Sequence, residues 1–370
     1  MRVLITGGAG FIGSHTADRL IESGHQVRIL DSLEQPVHTA GKPAHLNPAA
    51  EFVLGDVTCR DDWTSSLEGI DAVIHLAAYQ DYLPDFSHFF RVNAVGTALL
   101  YEIIVEGNLP IRKVVVASSQ AVYGEGKHRC PDGRIVYPAI RPEARLRAGL
   151  FEIPCPDGEG ETTWELTDES GSNPENQYAL SKHAQEQIAI RLGRRYEIPT
   201  VALRYSIVQG ARQSFTNAYS GACRVFCLSL HFGRDPVIYE DGEQVRDFVN
   251  IHDVVDANLL VLEDARADYE IFNVGGGRPY TVNEFAHIAG DAFGLKIEPC
   301  PSGLYRFGDT RHICSDIKKL KALGWQPRRS ATDSVAEYVA WLRSQDDLED
   351  ISAYAQRTMK EMDVVRAVRD

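Results

Sequence analysis

MRVLITGGAGFIGSHTADRLIESGHQVRILD, residues 1–31, decides the fold. The run RVLI at 2–5 is a short β-branched strand, and Gly7, Gly8, Ala9, Gly10, Phe11, Ile12 and Gly13 follow it at once, before a helical pattern begins. The glycines therefore occupy a strand-to-helix turn. Glycine serves there in three ways: it permits a tight turn, it lets backbone N–H groups approach a pyrophosphate, and it lets helix and strand pack closely. Gly7, Gly10, Phe11, Ile12 and Gly13 are the candidate phosphate cradle. Asp31 ends the next strand about 20 residues on, where a carboxylate accepts from ribose hydroxyls and repels a 2′-phosphate. That selects NAD over NADP.

Further runs at 26–30, 51–54, 71–76, 112–117 and 199–204 alternate with helical stretches such as NAVGTALLYEIIVEG. The alternation predicts an α/β fold, a Rossmann doubly wound parallel sheet covered on both faces. From about Gln209 the pattern shifts to Gly-, Asn- and aromatic-rich loops, which reads as a smaller interleaved substrate-binding α/β lobe. The expected division is 1–205 for the NAD-binding domain, completed by about 246–278, with 206–245 and 279–343 forming the lobe. Residues 125–165 are rich in Pro, Gly and Arg without a clean period and read as an insertion. Residues 344–370 read as an exposed helical tail.

With 370 residues, 24% charged and 44% hydrophobic, the chain is globular rather than disordered. Its net charge of -14 disfavours nucleic acid and anionic membrane, whose phosphates are bound by positive excess. The N-terminus lacks a basic, signal-like leader and no stretch is apolar enough for a membrane span, so a cytoplasmic protein is expected. Seven cysteines in no repeated spacing fit reduced thiols better than a disulfide framework. Cys130, Cys155 and His128 offer neither a paired C-x-x-C spacing nor a fourth ligand, so no metal site is assigned.

Tyr178 and Lys182 lie four apart in a helical stretch and so share a face. Such a pair alone reads as surface decoration. Its weight comes from the strand that ends in Ser118 and Ser119 at the carboxyl edge of the sheet. An ammonium beside a phenol favours the phenolate, which would make Tyr178 a general base, with Ser119 hydrogen-bonding the same substrate oxygen.

In these motifs the chain resembles the extended short-chain dehydrogenase/reductases of the NAD-dependent nucleotide-sugar epimerase/dehydratase family. The resemblance covers residues 1 to about 343. It rests on TGGAGFIG with Asp31, GDV at 55–57, HLAA at 75–78, Asn93 in VNAVGT, SSQAVYG, YALSK, LRY at 203–205, RDFV at 246–249 and YRFGD at 305–309. It implies that Asp56 and Val57 flank the adenine, that Leu76, Ala77 and Ala78 line the dinucleotide, and that Lys182 also holds the nicotinamide ribose. Asn93, Ser118, Tyr178, Tyr205 and Val208 join the same cofactor set. Ser119, Tyr178 and Lys182 are the implied catalytic group.

Family dehydratases place an Asp-Glu pair just after the catalytic serine or threonine, where this chain has Gln120 and Ala121. The 3,5-epimerases usually have a cysteine nearby, which Ala121 cannot replace. What remains is oxidation and re-reduction at one carbon, implying C4 inversion of a dTDP- or UDP-linked hexose through a transient keto-sugar. Alternatives at this point are a 2-epimerase, a net oxidoreductase and a non-catalytic dinucleotide sensor. Arg246 and Arg306 are the implied diphosphate grip, since the guanidinium fork matches phosphate oxygens. Gln80, Gln120, Tyr123 and Asn217 are expected near the sugar, and Asp309 beside Arg306. Relatives often carry Asn where Ile207 stands, so the pocket is less polar there. The stretch with Cys130 and Cys155 resembles that of epimerases acting on deoxy-sugar nucleotides. A homodimer is also implied, paired through the helices bearing Asn93 and Tyr178.

Overall fold

The β-branched runs assemble into one seven-stranded parallel sheet, as the alternation requires. The computed structural model describes the chain except residues 82, 216–220, 347, 349, 351–356, 358 and 369–370. Across the sheet the strands run Ile271–Val274, Thr200–Tyr205, Lys113–Ser119, Ala72–His75, Arg2–Thr6, Gln26–Asp31, Glu51–Leu54. Alternate residues of one strand enter opposite cores: Val3 and Ile5 join the cluster on one face, and Leu4 joins the cluster on the other. Arg2–Thr6 is flanked by Gln26–Asp31 on one side and Ala72–His75 on the other, so the connections reverse direction there. A crevice opens at the carboxyl ends of strands at such a reversal.

The smaller lobe holds a three-stranded sheet, Ile207–Gln209, Val245–Asn250 and Pro279–Thr281, with Val245–Asn250 in the middle. Helices Ala222–His231, Val282–Phe293 and Ala331–Arg343 close it around Phe226, Phe248 and Phe285. Val245–Asn250 therefore belongs to the lobe and not to the large domain that the expected boundary at 246 gave it to. The return to the large domain starts with helix Ile251–Glu263, whose Asn258 Nδ2 donates to Thr16 Oγ1 across 3.2 Å.

Two further expectations are corrected. Cys130 and Cys155 are joined as a disulfide that closes most of the insertion, so the seven cysteines are not all free thiols. Strands His128–Arg129, Ile135–Val136 and Thr163–Trp164 form a small sheet beside it. In the tail, Val365–Ala367 is a strand that pairs antiparallel with Leu304–Arg306, and Arg366 lies over the Phe307 ring. This last strand is packed on the segment that carries Arg306, while residues 357 and 359–361 ahead of it are helical.

Candidate active site

The glycine turn is shaped by contacts that leave no room for side chains. Gly7 has φ +67, and a Cβ there would lie 2.7 Å from the Ala77 nitrogen; one on Gly13 would lie 2.2 Å from the Gly7 carbonyl oxygen. Helix Phe11–Glu22 starts at Gly10 with no side-chain cap, which leaves its first N–H groups for a ligand. Asp31 braces the turn: its Oδ2 accepts from the Ala9 N–H and its Oδ1 from the Leu33 N–H, each at 2.9 Å. The sequence placed Asp31 on the ribose, and the structure adds this second task.

A cleft of about 330 Å³ opens from the turn. Gly7, Gly10, Phe11, Ile12 and Gly13 form one wall with Asp31, and Asp56 and Val57 stand beyond them. Leu76 and Ala77, which pack directly on Gly7, also line the cleft with Ala78, as do Ser118, Tyr178, Lys182 and Tyr205. A glycine cradle that a Cβ would fill, an uncapped helix start and the Asp31 carboxylate beside them fit a dinucleotide.

Two members of the expected cofactor set lie elsewhere. Val208 lines the adjoining cavity. Asn93 is fully buried in a wide turn, Arg91–Val95, within an otherwise α-helical stretch. Its Oδ1 accepts from the Tyr79 N–H at 2.8 Å, and its Nδ2 donates to the Tyr79 carbonyl and to Ser181 Oγ at 3.1 and 2.9 Å. Its amide is spent on holding the wall beside Ala78 and does not face the cleft.

The second cavity, about 460 Å³, shares Phe11, Ile12, Gln80, Ser118, Tyr178, Tyr205 and Gln213 with the first. Ser119 reaches it as the cap of the short 3₁₀ helix Gln120–Tyr123, where its Oγ accepts from the Ala121 N–H at 3.1 Å. Tyr178 comes from helix Gln177–Arg195, capped by Asn176. The Tyr178 hydroxyl is hydrogen-bonded with Ser119. Lys182 Nζ donates to Gln185 Oε1 across 2.5 Å.

The electrostatics differ from the expected picture of a phenol drawn down by its cation. Burial pushes Tyr178 up to about 12, with the Ser119 hydrogen bond opposing. Burial pushes Lys182 down to about 7, with Glu186 opposing. Desolvation disfavours the charged form of both groups, and it is the largest cause of each shift.

Arg246, Arg306 and Asp309 meet on the wall of the second cavity. Asp309 Oδ2 lies 2.6 Å from Arg306 Nη2 and 3.4 Å from Arg246 Nη2. Burial alone would raise Asp309, but Arg306 and Arg246 hold it below the ordinary carboxylate range. Gln120 lines the cavity, yet its Nε2 donates to Ser206 and Ser315 Oγ at 3.1 and 2.8 Å. Gln80 and Ile207 are on the wall. Tyr123 is not: it is fully buried, its hydroxyl donates to Asn273 Oδ1 at 2.7 Å, and Arg204 covers its ring. Asn217 lies outside the described residues.

Arg224, Gln213 and Tyr239 also line the cavity and escaped the sequence reading. Arg224 had a signal, a lone charge in the apolar run ACRVFCLSL. Gln213 and Tyr239 sit in loops with none.

Residues 3–142 and 155–275 match the model of the family described as NAD dependent epimerase/dehydratase. A dTDP-L-rhamnose 4-epimerase from Burkholderia thailandensis is 33% identical over 94% of this chain and 96% of its own length. A putative UDP-glucose 4-epimerase from Methanocaldococcus jannaschii is 32% identical over 92% of this chain and 98% of its own. Among solved structures, the UDP-glucose 4-epimerase of Thermotoga maritima with UDP-glucose superposes with a TM-score of 0.74 at 29% identity, covering 93% of this chain and 99% of that one. The chain belongs to the NAD dependent epimerase/dehydratase family.

Proposed function

We propose that this chain inverts C4 of a dTDP- or UDP-linked hexose through a transient keto-sugar, with NAD held throughout. The observation that carries the reading is the Ser119–Tyr178 hydroxyl pair on the wall of the second cavity, with Tyr178 also lining the cleft that would take the dinucleotide.

The glycine turn and the start of helix Phe11–Glu22 would hold the pyrophosphate, and Asp31 the adenosine ribose. NAD, once bound, would supply an acceptor for hydride and a positively charged ring. Ser119 positions the C4 hydroxyl, and Tyr178 takes its proton and later returns it. Burial keeps Tyr178 protonated at neutral pH, so a nearby positive charge is required for it to act as base. Lys182, one helical turn on, is the chain's own source of that charge.

Inversion requires the sugar to present its other face while the nucleotide stays fixed. Arg246 and Arg306 would grip the diphosphate for this, with Asp309 aligning both forks. No Asp-Glu pair follows Ser119, and Asp309, the one carboxylate among the described residues lining this cavity, is committed to arginines. That argues against dehydration.

A homodimer is part of the reading. Val95 and Leu180 are 50% and 45% exposed on the two helices expected to pair, and Phe90 adds a ring at 38%. Among the described residues no helix is long and apolar enough to cross a membrane.

The test is to assay the purified protein for bound NAD and to follow a panel of nucleotide sugars by NMR without added cofactor. Isomer exchange at C4 supports the reading. Continuous NADH accumulation would assign a dehydrogenase instead.

A further inference from the structure

The insertion at 125–165 has no place in the chemistry above, yet it sends charged side chains into the interior behind the arginine grip. Glu125, Arg141, Glu240 and Arg311 are each 3% exposed or less. Buried charges persist only when paired and hydrogen-bonded, and these are. Arg141 Nη1 and Nη2 make a two-pronged bond to Glu240 at 2.9 and 2.7 Å, and its Nε lies 3.3 Å from Glu125 Oε1. Glu125 Oε2 accepts from the Arg311 N–H at 2.6 Å. Arg311 Nη1 also reaches Glu240, at 3.1 Å. Glu240 keeps this place with a backbone φ of +56, a region that non-glycine residues seldom adopt.

The network touches the grip at defined atoms. Arg141 Nη2 donates to the Asp309 carbonyl at 2.8 Å. Asp309 in turn holds Arg306 and Arg246 through its carboxylate. The Arg311 carbonyl accepts from Arg246 Nη1 at 3.1 Å. The turn 309–311 is thus fixed from behind by Arg141 and Glu125, and from it both arginines take their aim. Arg141 lies inside the loop that the Cys130–Cys155 bond closes.

We infer that Arg141 is a positioning residue for diphosphate recognition, and that the insertion serves to deliver it behind the 309–311 turn. Arg141 is buried behind the grip, so its effect runs through Asp309. The inference rests on the reading that Arg246 and Arg306 bind the diphosphate.

The experiment compares nucleoside diphosphates with monophosphates on the NAD-loaded protein by calorimetry, using UDP and dTDP against UMP and dTMP. Arg141→Lys keeps a cation but cannot bond Glu240 with two prongs and Asp309 at once. It is expected to weaken diphosphate binding about 10-fold, with monophosphate binding altered much less, and to act on KM more than on kcat. Glu240→Gln, which keeps the shape, is expected to move affinity in the same direction and carries the measurement if Arg141→Lys does not fold. Unchanged diphosphate affinity in the folded variant overturns the inference, as does an equal loss for both ligand classes, which would mean a generally loosened pocket. Arg306→Ala separates the two levels. If it leaves diphosphate affinity intact, the grip assignment falls and the inference with it. If it weakens binding while Arg141→Lys does not, only the inference falls.

Discussion

Lys182 Nζ donates to Gln185 Oε1 across 2.5 Å, and this bond starts a buried polar chain that ends at the wall of the dinucleotide cleft. Gln185 Nε2 donates to Thr97 Oγ1 at 3.0 Å, and Thr97 donates to the Asn93 carbonyl at 2.7 Å. Thr97 can then only accept from His75 Nε2, 3.0 Å away, which leaves His75 Nδ1 to accept from Thr6 Oγ1 at 2.6 Å. Thr6 Oγ1 accepts from the Ala77 N–H at 3.2 Å. Burial pushes His75 down to about 3, which keeps the imidazole neutral and gives Nδ1 its acceptor role.

Lys182 gives a stability signature. Its folded pKa of about 7 lies below the ordinary 10.5, so between those values the unfolded chain binds the extra proton. Stability contributed by this group rises with pH across that window and levels off above it. In protein stripped of dinucleotide, Lys182→Met is expected to flatten the rise. Urea midpoints at pH 7 and pH 9.5 measure it, and equal slopes in both proteins would contradict the assignment.

Tyr178→Phe would remove the hydroxyl proposed as proton carrier, and with it the bond to Ser119. It is expected to retain bound NAD while turnover drops at least ~100-fold. A rate near that of the parent would take Tyr178 out of the mechanism.

Gly13→Ala would push a methyl group to 2.2 Å from the Gly7 carbonyl oxygen, a backbone atom that cannot swing away. A loss of roughly 1–3 kcal/mol is expected, the usual range for overpacking, together with loss of copurified NAD. Denaturant titration and absorbance of the released dinucleotide check both.

These outcomes rest on features that were legible to different degrees. The turn from Gly7 to Gly13 and Asp31 could be read because glycine spacing and strand-to-helix context are local, and local order survives in sequence. Ser119, Tyr178 and Lys182 were legible through their positions at one strand end and on one helix face. Tyr123 was misread because a tyrosine near the sheet edge looks the same whether its hydroxyl meets a ligand or Asn273. Asn93 was misplaced for a similar reason: the wide turn at Arg91–Val95 that aims its amide at Tyr79 leaves no periodic mark. Arg141 and Glu240 lie 99 positions apart, and no spacing rule joins them. The Cys130–Cys155 pairing likewise depends on tertiary approach.

Leu180→Glu, or Val95→Glu, places a charge on the apolar face expected to pair between subunits. Sedimentation should show the parent as a dimer and the variant shifted to monomer at micromolar concentration. A parent that sediments as a monomer would remove the dimer from the reading.

The central claim is hydride removal and return at a single carbon, and the most direct measurement is incubation of the NAD-loaded protein with a nucleotide hexose in heavy water, followed by NMR of the product. The expected result is inversion at C4 with protium kept at every ring carbon and no build-up of NADH. Deuterium at C3 or C5 would instead show proton exchange beside a ketone and contradict the claim.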